Sequence, residues 1–215
     1  MNRVYFIGGS PCSGKSTVAE ILAKKYDLCY FKVDDFLDKY IDMGASEGRP
    51  VCSQIKSMTP EETWMRAPMV QCEEELAWYR EVFGYVCEEI NRIENANNVR
   101  GIIAEGAAYL PDLMKTLNVP YNRYLAITPT KDFQVFHYSQ REWVPYVLQE
   151  CSDKDEAFEN WMERDALFAK DVQRQCGEEG YLSIVNNGER GIEELVKMVE
   201  GQFKRTDLVG EPYVI

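Results

Sequence analysis

The sequence contains little histidine, fewer basic than acidic residues and no long apolar run. His137 is the single histidine, which excludes most histidine-based metal sites and counts against a Ser-His-Asp hydrolase. With 24 basic against 36 acidic residues, the formal net charge is −12. Nucleic acids and anionic lipids are held mainly by clustered basic residues, so we expect neither as a partner. No run approaches the length of a membrane span, so no membrane association is expected.

Paired cysteines and a guanine-binding motif are also missing. None of the seven cysteines forms a Cys-x-x-Cys pair, and the odd count with irregular spacing predicts reduced thiols in a cytoplasmic protein rather than disulfides or zinc. No Asn-Lys-x-Asp motif occurs, which counts against a GTPase.

The length of 215 residues, with 45% hydrophobic and 28% charged residues, predicts a single folded domain over residues 1–215.

A complete phosphate-binding motif is present near the start of the chain. After an apolar strand, Gly9 is followed by four residues and then by Gly14, Lys15 and Ser16, the Walker A pattern in its strand–loop–helix context. Glycines let backbone N–H groups face a polyphosphate, Lys15 supplies charge, and the Ser16 hydroxyl can take a magnesium position. ATP and Mg²⁺ are therefore the predicted ligands, and the predicted nucleotide-binding set is Gly9, Ser10, Cys12, Ser13, Gly14, Lys15, Ser16 and Thr17. For Cys12, a filler role in the loop without chemistry stays open.

Strand and helix patterns alternate along the chain. Strand formers predict strands near residue 4 and at 28–33, 99–104, 121–127 and 181–185. Helical spacing predicts helices at 16–26, 60–66, 68–95, 109–117, 131–150, 153–176 and 192–203, with Ser152 as a cap. Residues 44–58 read as a loop across the mouth of the site. This alternation predicts a parallel sheet with helices on both faces and ligands at the carboxyl ends of the strands.

Three acidic residues directly follow predicted strands: Asp34, Asp35 and Glu105. Glu105 ends an apolar strand as a Walker B acid does, so we assign it, with Ser16, to the magnesium site. Asp34 is the candidate base for an acceptor hydroxyl. The alternative for Asp34 and Asp35 is a helix cap.

A cation is expected to neutralise charge on the transferred group. Arg141, in the helical segment after the fourth strand, is the candidate, although it could equally be an exposed partner of Glu142. For Arg164 the neighbouring Asp165 and Asn160 offer a structural explanation.

With these features, the chain resembles the P-loop kinases of small molecules and nucleotides, the nucleoside monophosphate kinase-like group that includes shikimate, gluconate and chloramphenicol kinases. The resemblance implies a three-layer α/β/α P-loop fold, a five-stranded parallel sheet of order 2-3-1-4-5, an acceptor region at about 34–96 and a helical lid at about 131–165. It assigns Asp34 to the acid after strand two, Arg141 to the lid, and Asn186-Asn187-Gly188 to the segment flanking adenine. Paired Arg-x-x-x-Arg lid arginines are missing.

The predicted function is transfer of the terminal phosphoryl of Mg-ATP to a small-molecule or nucleotide acceptor, catalysed by Lys15, Asp34 and Arg141. The alternative is an ATP-binding switch or regulatory NTPase that acts through a protein partner, for example along the 68–95 helix. Four basic residues of the acceptor region suit an anionic acceptor, or are scattered surface charge: Arg49, Lys56, Arg66 and Arg80. A monomer or a homodimer is compatible with the sequence.

Overall fold

A five-stranded parallel sheet forms the centre of the computed structural model, which describes residues 3–96 and 99–203. The expected domain of residues 1–215 thus includes positions outside the described residues. The strands are β1 (Val4–Gly9), β2 (Cys29–Lys32), β3 (Ile102–Glu105), β4 (Tyr124–Pro129) and β5 (Leu182–Asn186). Their order is β2-β3-β1-β4-β5, and every pairing is parallel. The predicted fold class is confirmed by this order.

Ten α-helices connect and cover the described strands. They are α1 (Lys15–Tyr26), α2 (Leu37–Ser46), α3 (Pro50–Ser57), α4 (Pro60–Trp64), α5 (Pro68–Asn95), α6 (Pro111–Thr116), α7 (Lys131–Ser139), α8 (Val144–Val147), α9 (Lys154–Glu179) and α10 (Ile192–Phe203). None of these helices is long and apolar enough to cross a membrane.

Both faces of the sheet are buried, because successive strand residues point to opposite sides. On β1, Val4 and Phe6 enter the core beneath α5 and α9, whereas Tyr5 and Ile7 enter the core beneath α1 and α10. The same alternation continues on β3 and β4. Burial on both faces produces the three layers and leaves the carboxyl ends of the strands open for a site.

Residues 44–58 were wrongly predicted as a loop, because residues 44–46 end α2 and Pro50–Ser57 form α3. Gly44 is a helix contact rather than a turn: a Cβ there would lie 2.6 Å from Cys52 Sγ, so only glycine lets the two helices approach this closely. Pro50 occupies the first turn of α3, where its missing N–H costs nothing.

The predicted helix at 131–150 is interrupted. α7 ends at Ser139, and the short α8 begins after a turn at residues 140–143 with Pro145 in its first turn. A proline inside one continuous helix would remove a backbone hydrogen bond, whereas at the start of a new helix it does not.

Helix α4 contacts α9 and the residues just before it through hydrogen bonds and ring stacking. Its N-terminus has the predicted capping box of Thr59 and Glu62. The prediction that Ser152 caps α9 is wrong, because Asp153 caps this helix. The Ser152 N–H and hydroxyl instead donate to the Glu61 carboxylate at 2.7 Å each. Trp64 of α4 stacks on Trp161 of α9 with ring centroids 4.4 Å apart. We call these contacts the α4–α9 junction.

Candidate active site

The Walker A loop connects central strand β1 to α1 through an unusual backbone. Gly9 has φ 118°, and a Cβ there would lie 1.9 Å from the Ile127 carbonyl oxygen, so no other residue fits beside β4. Gly14 immediately precedes α1 with φ 87°, and Cys12 has φ 58° although it is not glycine. These conformations curl the loop around the N-terminus of α1, where N–H groups lack helical partners.

Two hydroxyl groups of the loop are buried without a hydrogen-bond partner. Ser10 is fully buried and Ser13 is 1% exposed, and neither Oγ has a partner within the described structure. Asn186, at the end of β5, donates to the Ser13 carbonyl at 3.0 Å and braces the loop from outside. Ser16 is half-buried and Thr17 exposed in the first turn of α1. Buried donors without partners fit an oxygen-rich ligand in the loop.

Lys15 is the charged centre of the site. Its side chain is 6% exposed, and Nζ lies 2.9 Å from Glu105 Oε1 and 3.9 Å from Asp34 Oδ2. Burial lowers the pKa of Lys15, but the charges of Glu105 and Asp34 outweigh this effect and leave the pKa raised. Three adjacent strands thus bring together three of the residues that the sequence singled out, and the ammonium stays charged.

Asp34, rather than Asp35, faces this centre. It lies on the 3-10 turn Val33–Phe36 after β2, and burial raises the pKa of its carboxyl while Lys15 opposes that shift. Gly106 makes room for it, because a Cβ at this residue, with φ 148°, would lie 2.7 Å from Asp34 Oδ1. Asp35 instead pairs with Lys32 at 3.2 Å and is 62% exposed.

Tyr30 is a site residue that the sequence did not single out. Its hydroxyl donates to Glu105 Oε2 at 3.0 Å. On β2, Tyr30 lies two residues before Lys32, which pairs in register with Glu105, so its side chain points to the same face. The sequence alone does not give the strand register, and without the register Tyr30 could not be placed next to Glu105.

A cavity of about 500 Å³ opens beside the loop. Besides residues of the loop and α1, the lining consists of Phe133, His137, Gln140, Arg141, Asn186, Arg190, Ile192 and Leu195. Arg141 lies over the rings of Tyr138 and Trp143, at 4.8 Å and 5.5 Å from their centroids. Burial raises the pKa of the nearby Cys12 thiol, and the charge of Arg141 opposes this shift. Among residues 3–96 and 99–203, no carboxylate pairs with Arg141, so Glu142 is not its partner. The structure brings this arginine to the Walker A loop.

Arg164 lies in a second buried charge cluster. It forms ion pairs with Glu75 of α5 and with Asp165, the latter at 2.6 Å, and its guanidinium lies 5.3 Å from the Trp64 ring centroid. Tyr79 donates to Glu75 at 3.0 Å. Burial raises the pKa of Asp165 to about 7, although Arg164 opposes this shift. The structural explanation for Arg164 is therefore favoured, with Glu75 as an added partner, whereas Asn160 bonds to the Trp64 carbonyl.

The four basic residues of the acceptor region are all paired with carboxylates. The ion pairs are Arg49–Glu47 at 3.3 Å, Lys56–Asp42 at 2.7 Å, Arg66–Glu74 at 2.5 Å and Arg80–Asp112 at 2.7 Å. These pairs give a structural role to each residue and offer no support for an anionic acceptor.

A resident metal cluster is not built into the described part of the chain, where no three His, Cys, Asp or Glu residues converge. A hydroxyl from Ser16 and a carboxylate from Glu105 nevertheless suit Mg²⁺, which is usually held by one or two protein groups together with substrate phosphates and water.

Comparison with known proteins reveals similarity at the level of solved structures alone. No protein-family model matches the sequence, and no curated protein is a significant match. Shikimate kinase from Aquifex aeolicus vf5 is 18% identical, with 96% of this chain and 99% of that chain covered and a TM-score of 0.44. Shikimate kinase from Bacteroides thetaiotaomicron is 16% identical, with coverage of 94% and 98% and a TM-score of 0.45. An uncharacterized protein from Eubacterium ventriosum ATCC 27560 is 13% identical, with coverage of 95% and 99% and a TM-score of 0.47. At these values the similarity contributes nothing to the assignment of an activity, and the fold rests on the strand order and loop described above.

Proposed function

We propose that the chain is a phosphotransferase that moves the terminal phosphoryl of Mg-ATP to a small-molecule or nucleotide acceptor. One observation carries the proposal: buried Lys15 lies between Glu105 and Asp34, 2.9 Å and 3.9 Å away, next to a loop with two unpartnered hydroxyls. Phosphoryl transfer needs positioning and charge stabilisation rather than covalent chemistry from the protein, and this arrangement supplies both.

The loop residues fit the phosphates of ATP. The N–H groups around Gly14, the hydroxyls of Ser10 and Ser13 and the ammonium of Lys15 would hold them, with Cys12 and Thr17 at the edge of the adjoining cavity. That cavity, whose lining includes Phe133 and Asn186, is large enough for the nucleoside. Ser16 and Glu105 would hold Mg²⁺, which when bound neutralises charge on the phosphates.

On the acceptor side, Asp34 has the role of orienting the attacking hydroxyl. Its carboxylate accepts the hydrogen bond from that hydroxyl, and its raised pKa makes it a better proton acceptor than an ordinary aspartate. Lys15 and Arg141 stabilise the negative charge that spreads over the transferred group. In the proposed kinase, residues 34–96 form the acceptor region and residues 131–165 form the lid of the same domain.

The experiment is ADP release from ATP and Mg²⁺ across a panel of nucleosides, nucleotides, sugars, sugar acids and hydroxylated antibiotics, each against a blank without acceptor. We expect strong stimulation by one chemical class, with the phosphoryl group recovered on that compound by mass spectrometry. Tight ATP binding with uniform slow ADP release would contradict the kinase and favour the switch that acts through a protein partner.

A further inference from the structure

The carboxylate of Glu105 divides its two oxygens between different partners. Oε1 faces the Lys15 ammonium at 2.9 Å, whereas Oε2 accepts the Tyr30 hydrogen bond at 3.0 Å. Glu105 itself is fully buried, so neither oxygen can turn to solvent for compensation.

The two partners differ in mobility. Lys15 carries its charge on a flexible four-carbon side chain, whereas Tyr30 is a rigid ring on the strand next to Glu105. Under the proposed function, Lys15 must turn toward the phosphates when the nucleotide arrives. Oε1 then loses its cation and becomes free for the hydrated metal, while the Tyr30 bond remains.

We propose that Tyr30 is the positioning residue of the magnesium site: its hydroxyl holds Glu105 Oε2 so that Oε1 is presented alternately to Lys15 and to the metal's water shell. The inference rests on the proposed function. A glutamate side chain has three rotatable bonds, and the fixed hydroxyl limits the orientations that it must give up when the metal binds.

The Tyr30 hydroxyl is suited to this task because it stays a donor. An ionised carboxylate can only accept hydrogen bonds, so the Tyr30 hydroxyl is the donor of the bond to Glu105 Oε2.

The test is Tyr30→Phe, which removes only the hydroxyl. Tyr26→Phe is the matched control, because Tyr26 also donates to a buried carboxylate, that of Glu200 on α10, at the far end of α1. Calorimetric titration with ATP, with and without Mg²⁺, gives the affinity of each variant, and thermal unfolding confirms that each is folded.

We expect Tyr30→Phe to weaken ATP binding in Mg²⁺ roughly 10-fold, the lower end of what loss of an outer-shell partner costs, and to leave binding without metal unchanged. Tyr26→Phe should leave both affinities unchanged. On a Glu105→Gln background, Tyr30→Phe should add little, since the two residues act on the same step.

Equal Mg²⁺ dependence in wild type and Tyr30→Phe would overturn the inference and leave the kinase intact. An additive effect on the Glu105→Gln background would do the same, because Tyr30 would then act through another group. Wild-type protein whose ATP binding ignores Mg²⁺ would instead contradict the proposed function itself, and with it this inference.

Discussion

Two buried clusters of the molecule have the same charge composition. In the first, Lys15 lies between Glu105 and Asp34; in the second, Arg164 lies between Glu75 and Asp165. Each contains one cation and two carboxylates. The surroundings differ: the first adjoins a glycine-rich loop, and Asp34 keeps a 36% exposed side chain, whereas the second is enclosed by aromatic rings such as Trp64 and Tyr138.

Charge composition alone therefore does not mark an active site. A flexible ammonium near a cavity can exchange its carboxylates for an incoming phosphate. The Arg164 guanidinium pairs with carboxylates on α5 and α9 and stacks on an aromatic ring. Moving it away would leave two buried carboxylates without a cation, which costs several kcal/mol of stability. We therefore expect substitutions in the first cluster to affect activity and those in the second to affect stability.

The largest effect is expected for Lys15→Ala. Loss of the ammonium removes the main stabilising charge on the phosphates, so ADP release with acceptor should fall roughly 10³-fold or more. The measurement is steady-state turnover, with circular dichroism as the control for folding. Normal turnover in a folded variant would show that Lys15 has no part in the mechanism. The two clusters would then no longer differ in function.

Asp34→Asn should affect transfer alone. The amide keeps the size of the side chain but accepts a proton poorly, so turnover should fall by roughly 10²- to 10⁴-fold while ATP affinity stays near that of wild type. Parallel measurements of turnover and calorimetric ATP binding test this. Asp35→Asn is the matched control, because that side chain pairs with Lys32 and points to solvent.

Arg164→Ala should show the opposite behaviour. Removing the guanidinium leaves Glu75 and Asp165 buried without their cation, and the free energy of unfolding should fall by about 3–5 kcal/mol. Urea unfolding followed by tryptophan fluorescence measures the loss. A stable variant with abolished transfer would show that Arg164 belongs to the active site and that both clusters serve catalysis.

For Arg141→Ala we expect a roughly 10- to 100-fold lower turnover with little loss of stability. Its guanidinium lines the cavity and stacks on Tyr138 and Trp143 without a carboxylate partner among residues 3–96 and 99–203. Arg141→Lys keeps the charge and should recover part of the activity. If the alanine variant turned over normally, the lid cation would have to lie elsewhere.

The last prediction concerns the pH dependence of stability. Because Asp165 has a pKa of about 7 in the folded protein and of about 4 in an unfolded chain, the folded state binds the extra proton between these values. Its stabilising contribution is present below about pH 4 and is lost as the pH rises toward 7. Arg164, Glu75 and the Tyr138 hydroxyl face this carboxyl. Asp165→Asn should flatten the fall in stability over that window; an unchanged pH profile from denaturant unfolding would contradict the assignment.

Local chemistry made much of the fold predictable. The strand–loop–helix arrangement at residues 4–26, the capping box at Thr59 and the long helix at 68–95 depend on residues close in sequence, and each of these structural predictions is confirmed. The strand order followed from the family resemblance rather than from any local pattern.

Features that depend on tertiary contacts could not be predicted in this way. Gly44 looks like a loop residue in the sequence, and only its contact with Cys52 explains why glycine is needed there. The hydrogen bonds from Tyr30 to Glu105 and from Arg164 to Glu75 join residues that are 75 and 89 positions apart. No periodicity or spacing rule connects such residues, because the sheet register and the packing of α5 on α9 bring them together.

The α4–α9 junction has a consequence for how the two substrates would bind. If the segment around Ser152 moves away from the site, one of two things must happen. Either its two hydrogen bonds to Glu61 break, or α4 moves with it, together with Trp64. Since α4 belongs to the expected acceptor region and residue 152 to the expected lid, nucleotide and acceptor would bias one shared conformational equilibrium. Thermodynamic linkage then requires each substrate to change the affinity for the other by the same factor.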